Sequence, residues 1–293
     1  MSKIIHQQCS ENDYFPTFAR DLVDKFPGGI LGSVLGDILA NNFQTQIHSN
    51  SLSDTIKLSS WTQMSLESLN LLSKDNLGKI DWFAAYSSFL PAKFNGEIGC
   101  SELAVASLPI VLFFHDQPNV LREYLSEIAT LSQEPNCFAK LWIWSYGISL
   151  VLQGNIEIKE LISMLLSLKE AEKTSLGKQL ETIQKLLCEQ ASLKQVEGKL
   201  GAKEEFNSLA MAQALYCFLS TPEQFYLSVS RSMQMKSQPQ LTATLTGAIA
   251  GIYNSWFGIP IDWRLHPQLS KVNAEHQVSK QVEQVVNNWL GIY

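Results

Sequence analysis

The chain has 293 residues, of which 45% are hydrophobic and 17% charged, and its formal net charge is −6. This composition is typical of a globular protein with a large core and excludes an intrinsically disordered chain. The acidic balance and the lack of a basic run argue against nucleic-acid binding. No apolar stretch reaches the roughly 18 residues of a membrane span, and residues 1–20 lack the apolar segment of a signal peptide. We therefore expect a cytoplasmic protein.

Apolar residues recur at helical spacing along most of the chain, which predicts an all-α fold in a compact single domain. The clearest stripes lie in residues 120–131, 158–168, 176–193, 209–219 and 282–290. Residues 138–152 are the most apolar segment and predict a buried helix, because Lys140, Ser145 and Ser149 interrupt the run. Short Pro/Gly-containing connections separate these segments, and no alternating strand pattern competes with them.

Two smaller features carry specific predictions. Thr221-Pro222 predicts a helix start, with Thr221 as the cap and Gln224 completing a capping box. The five cysteines are odd in number, widely spaced and without a Cys-x-x-Cys pair, which predicts buried, reduced thiols rather than disulfides. They are Cys9, Cys100, Cys137, Cys188 and Cys217.

Two segments rich in small residues, 28–62 and 241–263, are the most informative part of the sequence. In the first, Gly32 and Gly36 lie four residues apart on one helix face, where they permit close packing against a second helix. Neither a Gly-Lys-Ser/Thr sequence nor a Gly-x-Gly-x-x-Gly pattern is present there, so a phosphate-binding loop is not indicated. Residues 242–251 predict another helix with a face of small residues.

In their order and spacing, these segments resemble the ADP-ribosylglycohydrolase family. Residues 35–40 (Leu-Gly-Asp-Ile-Leu-Ala) correspond to a Leu-Gly-Asp-Ala-Leu-Gly segment of the family, and Ser59-Ser60-Trp61-Thr62 falls on its Thr-Asp-Asp-Thr segment. Residues 242–245 (Thr-Ala-Thr-Leu) fall on Asp-Thr-Asp-Thr and precede a shared Ala-Ile-Ala-Gly. Further matches lie at 101–110, 214–218 and 259–263. The resemblance implies a helical domain over residues 28–293, after an N-terminal extension of residues 1–27.

The family resemblance also implies two magnesium ions that orient an ADP-ribose for cleavage of its glycosidic bond. Magnesium prefers oxygen ligands, and carboxylates normally offset its charge. The matching positions carry no charged group: they are Ser59, Ser60, Trp61, Thr242, Thr244 and Leu245. The family's next acidic position falls near Gln44, whose amide cannot act as a general base. We therefore predict a vestigial site without a metal and without a cofactor.

Asp37, Thr62, Tyr253 and Trp256 are the remaining candidates for contact with a ligand. Asp37 is interpreted as a residue that packs or caps a helix. Tyr253 and Trp256, together with Phe257 and Trp263, could stack on a base, but a place in the core is the preferred interpretation.

Three functions remain open from the sequence. The chain could be a non-catalytic scaffold that binds or regulates another protein, or a module that binds ADP-ribose or a nucleotide without cleaving it. It could also be a hydrolase with relocated chemistry on Asp37, Glu97 or Glu102. Only four arginines are present, none of them on a matched segment, and an anion cleft would need such cations at its rim. This favours the protein-binding scaffold.

Trp61 leads to a separate hypothesis. It stands where the family has an aspartate, at the start of a helix, so its indole is predicted to fill the space of the metals near residues 242–245. The hypothesis predicts a substantially buried ring, and a loss of about 3–5 kcal/mol on truncation to alanine.

Overall fold

The structure is a computed structural model, which describes residues 17–48, 57–74, 80–93, 98–200 and 208–292. Within these ranges the chain forms only helices and connecting turns, which confirms the all-α prediction. The helices are α1 (Thr17–His48), α2 (Ser60–Leu72), α3 (Trp82–Lys93), α4 (Cys100–Ala106), α5 (Leu108–Phe113), α6 (Pro118–Ala129), α7 (Cys137–Gln153), α8 (Leu161–Leu166), α9 (Ser175–Cys188), α10 (Leu193–Leu200), α11 (Leu209–Ser220), α12 (Phe225–Met233), α13 (Pro239–Gly258), α14 (Ile261–Arg264), α15 (Pro267–His276) and α16 (Val278–Leu290). A short 3₁₀ turn, Ile158–Glu160, precedes α8.

The two longest helices, α1 and α13, form the centre of the fold as an antiparallel pair. Their backbones nearly touch: a β-carbon on Gly32 would lie 2.4 Å from the carbonyl oxygen of Gly247, and one on Gly36 would lie 2.2 Å from that of Ala243. Gly28 meets Gly251 in the same way one turn further along. The prediction of close helix packing from the glycine spacing is confirmed, because any larger side chain would hold the helices apart.

Several other helices pack directly against this pair, among them α4, α7, α11 and α12 against α13, and α2, α15 and α16 against α1. One continuous hydrophobic core runs through the described helices.

The predicted boundary between the N-terminal extension and the helical domain, at residues 27 and 28, falls inside a helix. α1 begins at Thr17 and continues through Pro27 without a break. Residues 1–16 of the predicted N-terminal extension lie outside the described residues.

α7 confirms the prediction of a buried helix in the most apolar segment. Lys140 is buried, and its ammonium group lies 3.5 Å from the carboxylate of Glu134 in the preceding turn. The Ser149 hydroxyl donates to the carbonyl of Ser145 one turn earlier. Lys140 and Ser149 are therefore accommodated inside the core by local partners, whereas the buried hydroxyl of Ser145 has no described hydrogen-bond partner.

The predicted helix start at Thr221 is wrong. α12 begins at Phe225, and Thr221 is instead the residue that ends α11. Its N–H donates to the carbonyl of Phe218, its hydroxyl donates to that of Cys217, and its own carbonyl accepts from the N–H of Gln224. Because Thr221 already closes the preceding helix, the next helix can begin only after the turn.

Three described cysteines, Cys100, Cys137 and Cys217, are buried and free, as predicted. Cys188 at the end of α9 is exposed, which corrects the prediction for that thiol. Cys9 lies outside the described residues. None of the helices in the described ranges is long and apolar enough to pass through a membrane.

Candidate functional site

Asp37 is the centre of a buried hydrogen-bond cluster that joins α1, α2 and α13. Its Oδ2 accepts from the backbone N–H and from the hydroxyl of Ser59, each at 2.9 Å. Its Oδ1 accepts from the Nε2 of Gln240 at 2.7 Å. The Ser59 hydroxyl also lies 2.9 Å from that of Thr62. The structure thus brings together Asp37, Ser59 and Thr62 from the sequence prediction and adds Gln240.

Local structure explains this convergence. Gly36 lets α13 approach within backbone contact, so the neighbouring Asp37 reaches the first turn of α13. Ser59 is the residue before α2, where backbone N–H groups have no partner within the helix. The Asp37 carboxylate satisfies one of these donors from a distant part of the chain and places negative charge at the positive end of α2. The interpretation of Asp37 as a capping residue agrees with this geometry.

Burial controls the protonation of Asp37. The side chain is 1% exposed, and loss of solvation raises the pKa of its carboxyl group above the ordinary value. Hydrogen bonds from Ser59, Thr62 and Gln240 oppose this shift without cancelling it. Burial of Asp37 thus favours the protonated carboxyl group, whereas the hydrogen bonds that it accepts favour the carboxylate.

The threonines of α13 use their hydroxyls internally. Thr242 donates to the Oε1 of Gln213 at 3.3 Å, and Thr244 donates to the carbonyl of Gln240 one turn earlier at 2.8 Å. Both side chains are fully buried, and Leu245 is buried beside them. These three positions form part of the packed interior of α13.

The other predicted site positions lie around the cluster. Ser60 and Trp61 occupy the first turn of α2 and are half-buried. Gln44 is half-buried on α1, seven residues beyond Asp37, which is about 10 Å along the helix axis. Trp61 packs against the core, but its indole nitrogen is buried without a hydrogen-bond partner in the described structure.

Tyr253 and Trp256 pack against the core from the far end of α13. The Tyr253 ring contacts Phe218 at 5.5 Å, and the guanidinium of Arg264 lies 5.6 Å from the ring of Trp256. The core interpretation is therefore supported for these two residues. Phe257 differs: it is 67% exposed and is not part of the core.

A cavity of about 460 Å³ opens beside the start of α13. The first turn of α4 and the loop before α7 form its walls, and Gln238 and Leu241 close it. Its two carboxylates, Glu102 and Glu134, both have their pKa raised by burial, and each accepts a backbone N–H at the start of α4. Glu102 thus has a structural partner, whereas Glu97 lies outside the described residues.

Comparison with known proteins identifies the fold. The profile of the ADP-ribosylglycohydrolase family matches residues 19–289. The chain belongs to the ADP-ribosylglycohydrolase family. A solved structure titled "ADP-ribosylglycohydrolase-related protein complex" superposes with a TM-score of 0.63 at 13% sequence identity, covering 91% of this chain and 99% of that one. At this identity the superposition shows the all-α fold of the family alone. No curated protein matches the sequence.

Two residues that hold this cluster in the ADP-ribosylglycohydrolase fold could not be found from the sequence. Gln240 and Gln213 belong to no matched segment, yet they hold Asp37 and Thr242. Their role depends on the close approach of α1 and α13 and on the packing of α11 against α13. Glutamine is common on helix surfaces, so its presence in the sequence gives no signal of such a contact.

The half-buried ring of Trp61 lowers the expected cost of truncation. We expect Trp61→Ala to reduce the free energy of unfolding by about 2 kcal/mol, since partial burial removes less apolar contact than a full core position. Urea denaturation provides the measurement. Trp61→Phe is the matched control, because it keeps a ring and removes the unpaired N–H, and it should stay within about 1 kcal/mol of the wild type. A loss below 0.5 kcal/mol for Trp61→Ala, on the scale of surface substitutions, would show that the ring fills no space.

Proposed function

We propose that this protein is a non-catalytic ADP-ribosylglycohydrolase-like chain that acts by binding another protein. The observation that carries the proposal is the chemistry of the Asp37 cluster. It contains one carboxylate, with both oxygens engaged by internal donors, where the family resemblance implies a set of metal-binding aspartates. A hydrogen-bond network of this kind stabilises a fold, and it supplies neither the several negative groups of a metal site nor a free base.

The residues present do not fit the two magnesium ions that the family resemblance implies. Two adjacent divalent cations repel each other and need several negative groups to offset that repulsion. Apart from the Asp37 carboxylate, the side chains that could ligate a metal at these positions are neutral. They are the hydroxyls of Ser59, Thr62 and Thr242 and the amide of Gln240. Within the described ranges no three His, Cys, Asp or Glu side chains come close enough together to hold a metal ion.

An ADP-ribose module receives less support from the cavity beside α4. A diphosphate group is bound best by Arg, Lys or free backbone N–H groups. The described lining of this cavity includes Glu102 and Glu134 and no Arg or Lys. The N–H groups of Gly99 and Cys100 already donate to those two carboxylates. An anionic ligand would therefore meet negative charge at this cavity.

An exposed apolar patch supports the protein-binding role. We call it the α13–α14 patch; it consists of Tyr226, Phe257, Ile261 and Leu265. Their exposed fractions are 51%, 67%, 54% and 67%. Trp263 joins them, with its ring 5.0 Å from that of Tyr226, and Arg264 lies over Phe257 at 5.8 Å. Clustered exposed aromatic and aliphatic residues beside an arginine are typical of protein interfaces.

Affinity capture with a patch variant tests the proposal. The tagged wild type and a Phe257→Ser/Leu265→Ser variant are used to capture partners from the native cell, and bound proteins are quantified by mass spectrometry. Both residues are largely exposed, so the variant should keep its melting temperature while it loses the specific partner. Phe83→Ser, at a 44% exposed position on α3, is the matched control and should retain that partner.

The alternative functions give different results in the same study. If no captured protein depends on the patch, and ADP-ribose raises the melting temperature, the protein is a nucleotide-binding module instead. If neither effect occurs, the patch is not the binding surface, and the protein-binding proposal in this form is wrong.

The metal prediction has its own measurement. Isothermal titration of the protein with magnesium chloride to millimolar concentration should give no saturable heat, because the cluster lacks the negative groups that such a site needs. Saturable binding at micromolar magnesium, lost in Asp37→Asn, would contradict the prediction and would restore the hydrolase interpretation.

A further inference from the structure

A large cavity of the described structure lies away from the Asp37 cluster and takes no part in the proposed protein binding. Its volume is about 900 Å³, within the range of about 300–1,000 Å³ that is common for small-molecule sites. Its walls come from the 3₁₀ turn, α8, α9, α10, α11 and α12. None of its described lining residues belongs to α1, α2 or α13, so it is separate from the family's vestigial site.

The cavity has a polar and an apolar side. Five aliphatic side chains contribute to its lining: Ile158, Ile162, Leu187, Leu193 and Leu219. Four of them, all except Ile162, are only partly buried, so they present apolar surface to the space. Such walls would favour the hydrocarbon or aromatic body of a ligand.

Two cations, Arg231 and Lys159, line the same cavity, and no described Asp or Glu does. Neither cation forms an ion pair with a described carboxylate. The Nε of Arg231 is buried without a hydrogen-bond acceptor in the described structure. The two positive charges at this cavity therefore face no described carboxylate in its lining. Their charge and the missing acceptor both favour an oxyanion as the ligand group.

The surrounding structure holds Arg231 in place. Its guanidinium lies 5.9 Å from the ring centroid of Tyr216, and the Tyr216 hydroxyl donates to the carbonyl of Ala191. The turn that carries Ala191 is itself fixed, because the N–H groups of Gln190 and Ala191 donate to the carbonyls of Leu187 and Leu186 at 3.1 and 3.0 Å. The position of Arg231 at the cavity is therefore preorganised, which lowers the entropic cost of binding.

We propose that this cavity binds an amphipathic small-molecule anion. A carboxylate or phosphate monoester group would engage Arg231, with Lys159 at the rim, and an alkyl or aryl body would lie against the aliphatic walls. Arginine suits both headgroups, because its planar donors match the oxygens of either in a two-point contact. The shared requirement is one terminal oxyanion joined to an apolar body.

Binding is measured by isothermal titration with four ten-carbon probes below their micelle concentrations. Decanoate and decyl phosphate should bind, and the stronger of the two identifies the headgroup. Decanol and decyltrimethylammonium should bind at least about tenfold more weakly, as expected when a charge-assisted hydrogen bond is lost. Equal binding of all four probes would overturn the proposal, since it would show an apolar cavity without anion selectivity. No binding of either anion would overturn it as well.

Variants locate the headgroup. Arg231→Gln should weaken binding of the better anion by about tenfold or more, and Arg231→Lys should recover part of that loss. Lys159 is exposed, so Lys159→Gln should fold normally and weaken binding by a few-fold. The Lys159→Gln variant therefore still tests the proposal if Arg231→Gln is unstable. Arg122→Gln, remote from the cavity and paired with Glu170, is the matched control and should bind like the wild type.

Cys188 gives an independent readout of position. Its thiol is exposed and belongs to the cavity lining, whereas the other described cysteines are buried. Saturating decanoate or decyl phosphate should slow alkylation of Cys188 by iodoacetamide, measured by peptide mass spectrometry, and should give no protection in Arg231→Gln. Anion binding without protection of Cys188 would place the ligand elsewhere and contradict the proposal.

Discussion

Replacing Gly247 with alanine is expected to destabilise the protein by at least about 3 kcal/mol, as severe overpacking does. A β-carbon on Gly247 would lie 2.1 Å from the carbonyl oxygen of Gly32, far inside van der Waals contact. The added carbon would clash with backbone atoms of α1, which cannot move aside as a side chain can. α1 and α13 would therefore have to separate, and the neighbouring close contacts Gly28–Gly251 and Gly36–Ala243 would be loosened as well. Denaturant unfolding followed by circular dichroism measures the effect.

Gly198→Ala is the matched control for this substitution. Gly198 lies inside α10, and no atom of the described residues stands within 4 Å of the position of an added β-carbon. Alanine should therefore stabilise the protein by up to about 1 kcal/mol through helix propensity. If Gly247→Ala were as harmless as Gly198→Ala, the central helix pair would not be packed through its glycines.

Removing the Asp37 carboxyl group is expected to have the second-largest effect. Asp37→Ala would leave the backbone N–H of Ser59 and the amide of Gln240 without their acceptor in a buried place. We expect a loss of about 2–4 kcal/mol in the free energy of unfolding at pH 7, because each buried unsatisfied donor costs free energy. Chemical denaturation at constant pH gives this value.

Asp37→Asn separates the hydrogen bonds from the charge. An asparagine keeps an acceptor for Ser59, and rotation of the Gln240 amide lets its oxygen accept from the new side-chain N–H. We therefore expect Asp37→Asn to be close to the wild type or more stable at pH 7, in contrast to Asp37→Ala. An equal loss in both variants would show that the negative charge itself is needed.

The raised pKa of Asp37 gives this comparison a pH dependence with a definite sign. Since the folded state holds this proton more tightly than the unfolded state, the Asp37 contribution to stability is greatest below the unfolded pKa. It falls as the pH rises toward the folded pKa. The advantage of Asp37→Asn over the wild type should therefore grow with pH above the ordinary value of 3.8 and then level off. An advantage that shrinks with rising pH would contradict the burial of this carboxyl group.

Periodic and small-residue patterns predicted much of the fold because they reflect local geometry. The apolar stripes of 120–131 and 282–290 correspond to α6 and α16, and Gly32 and Gly36 marked the face that meets α13. The start of α12 was predicted wrongly because Thr221 can end one helix as well as begin the next. The local sequence does not distinguish these two roles.

The candidate site was predictable only in part. The matched segments identified Asp37, Ser59 and Thr62, which the structure joins by hydrogen bonds. Gln240 and the large cavity at Arg231 depend on contacts between distant segments, which leave no local pattern. The degree of burial of Trp61 likewise depends on how the start of α2 meets its neighbours, so the structure leads to a smaller expected cost of truncation than the sequence position alone.

The most direct test of the non-catalytic assignment is an assay of ADP-ribose release. Purified protein is incubated with arginine- and serine-ADP-ribosylated peptides in millimolar magnesium, and free ADP-ribose is measured by mass spectrometry. The account predicts release no faster than the protein-free blank, because the Asp37 cluster supplies no metal-held transition-state stabilisation. Magnesium-dependent turnover that disappears in Asp37→Asn, a variant expected to remain folded, would contradict it.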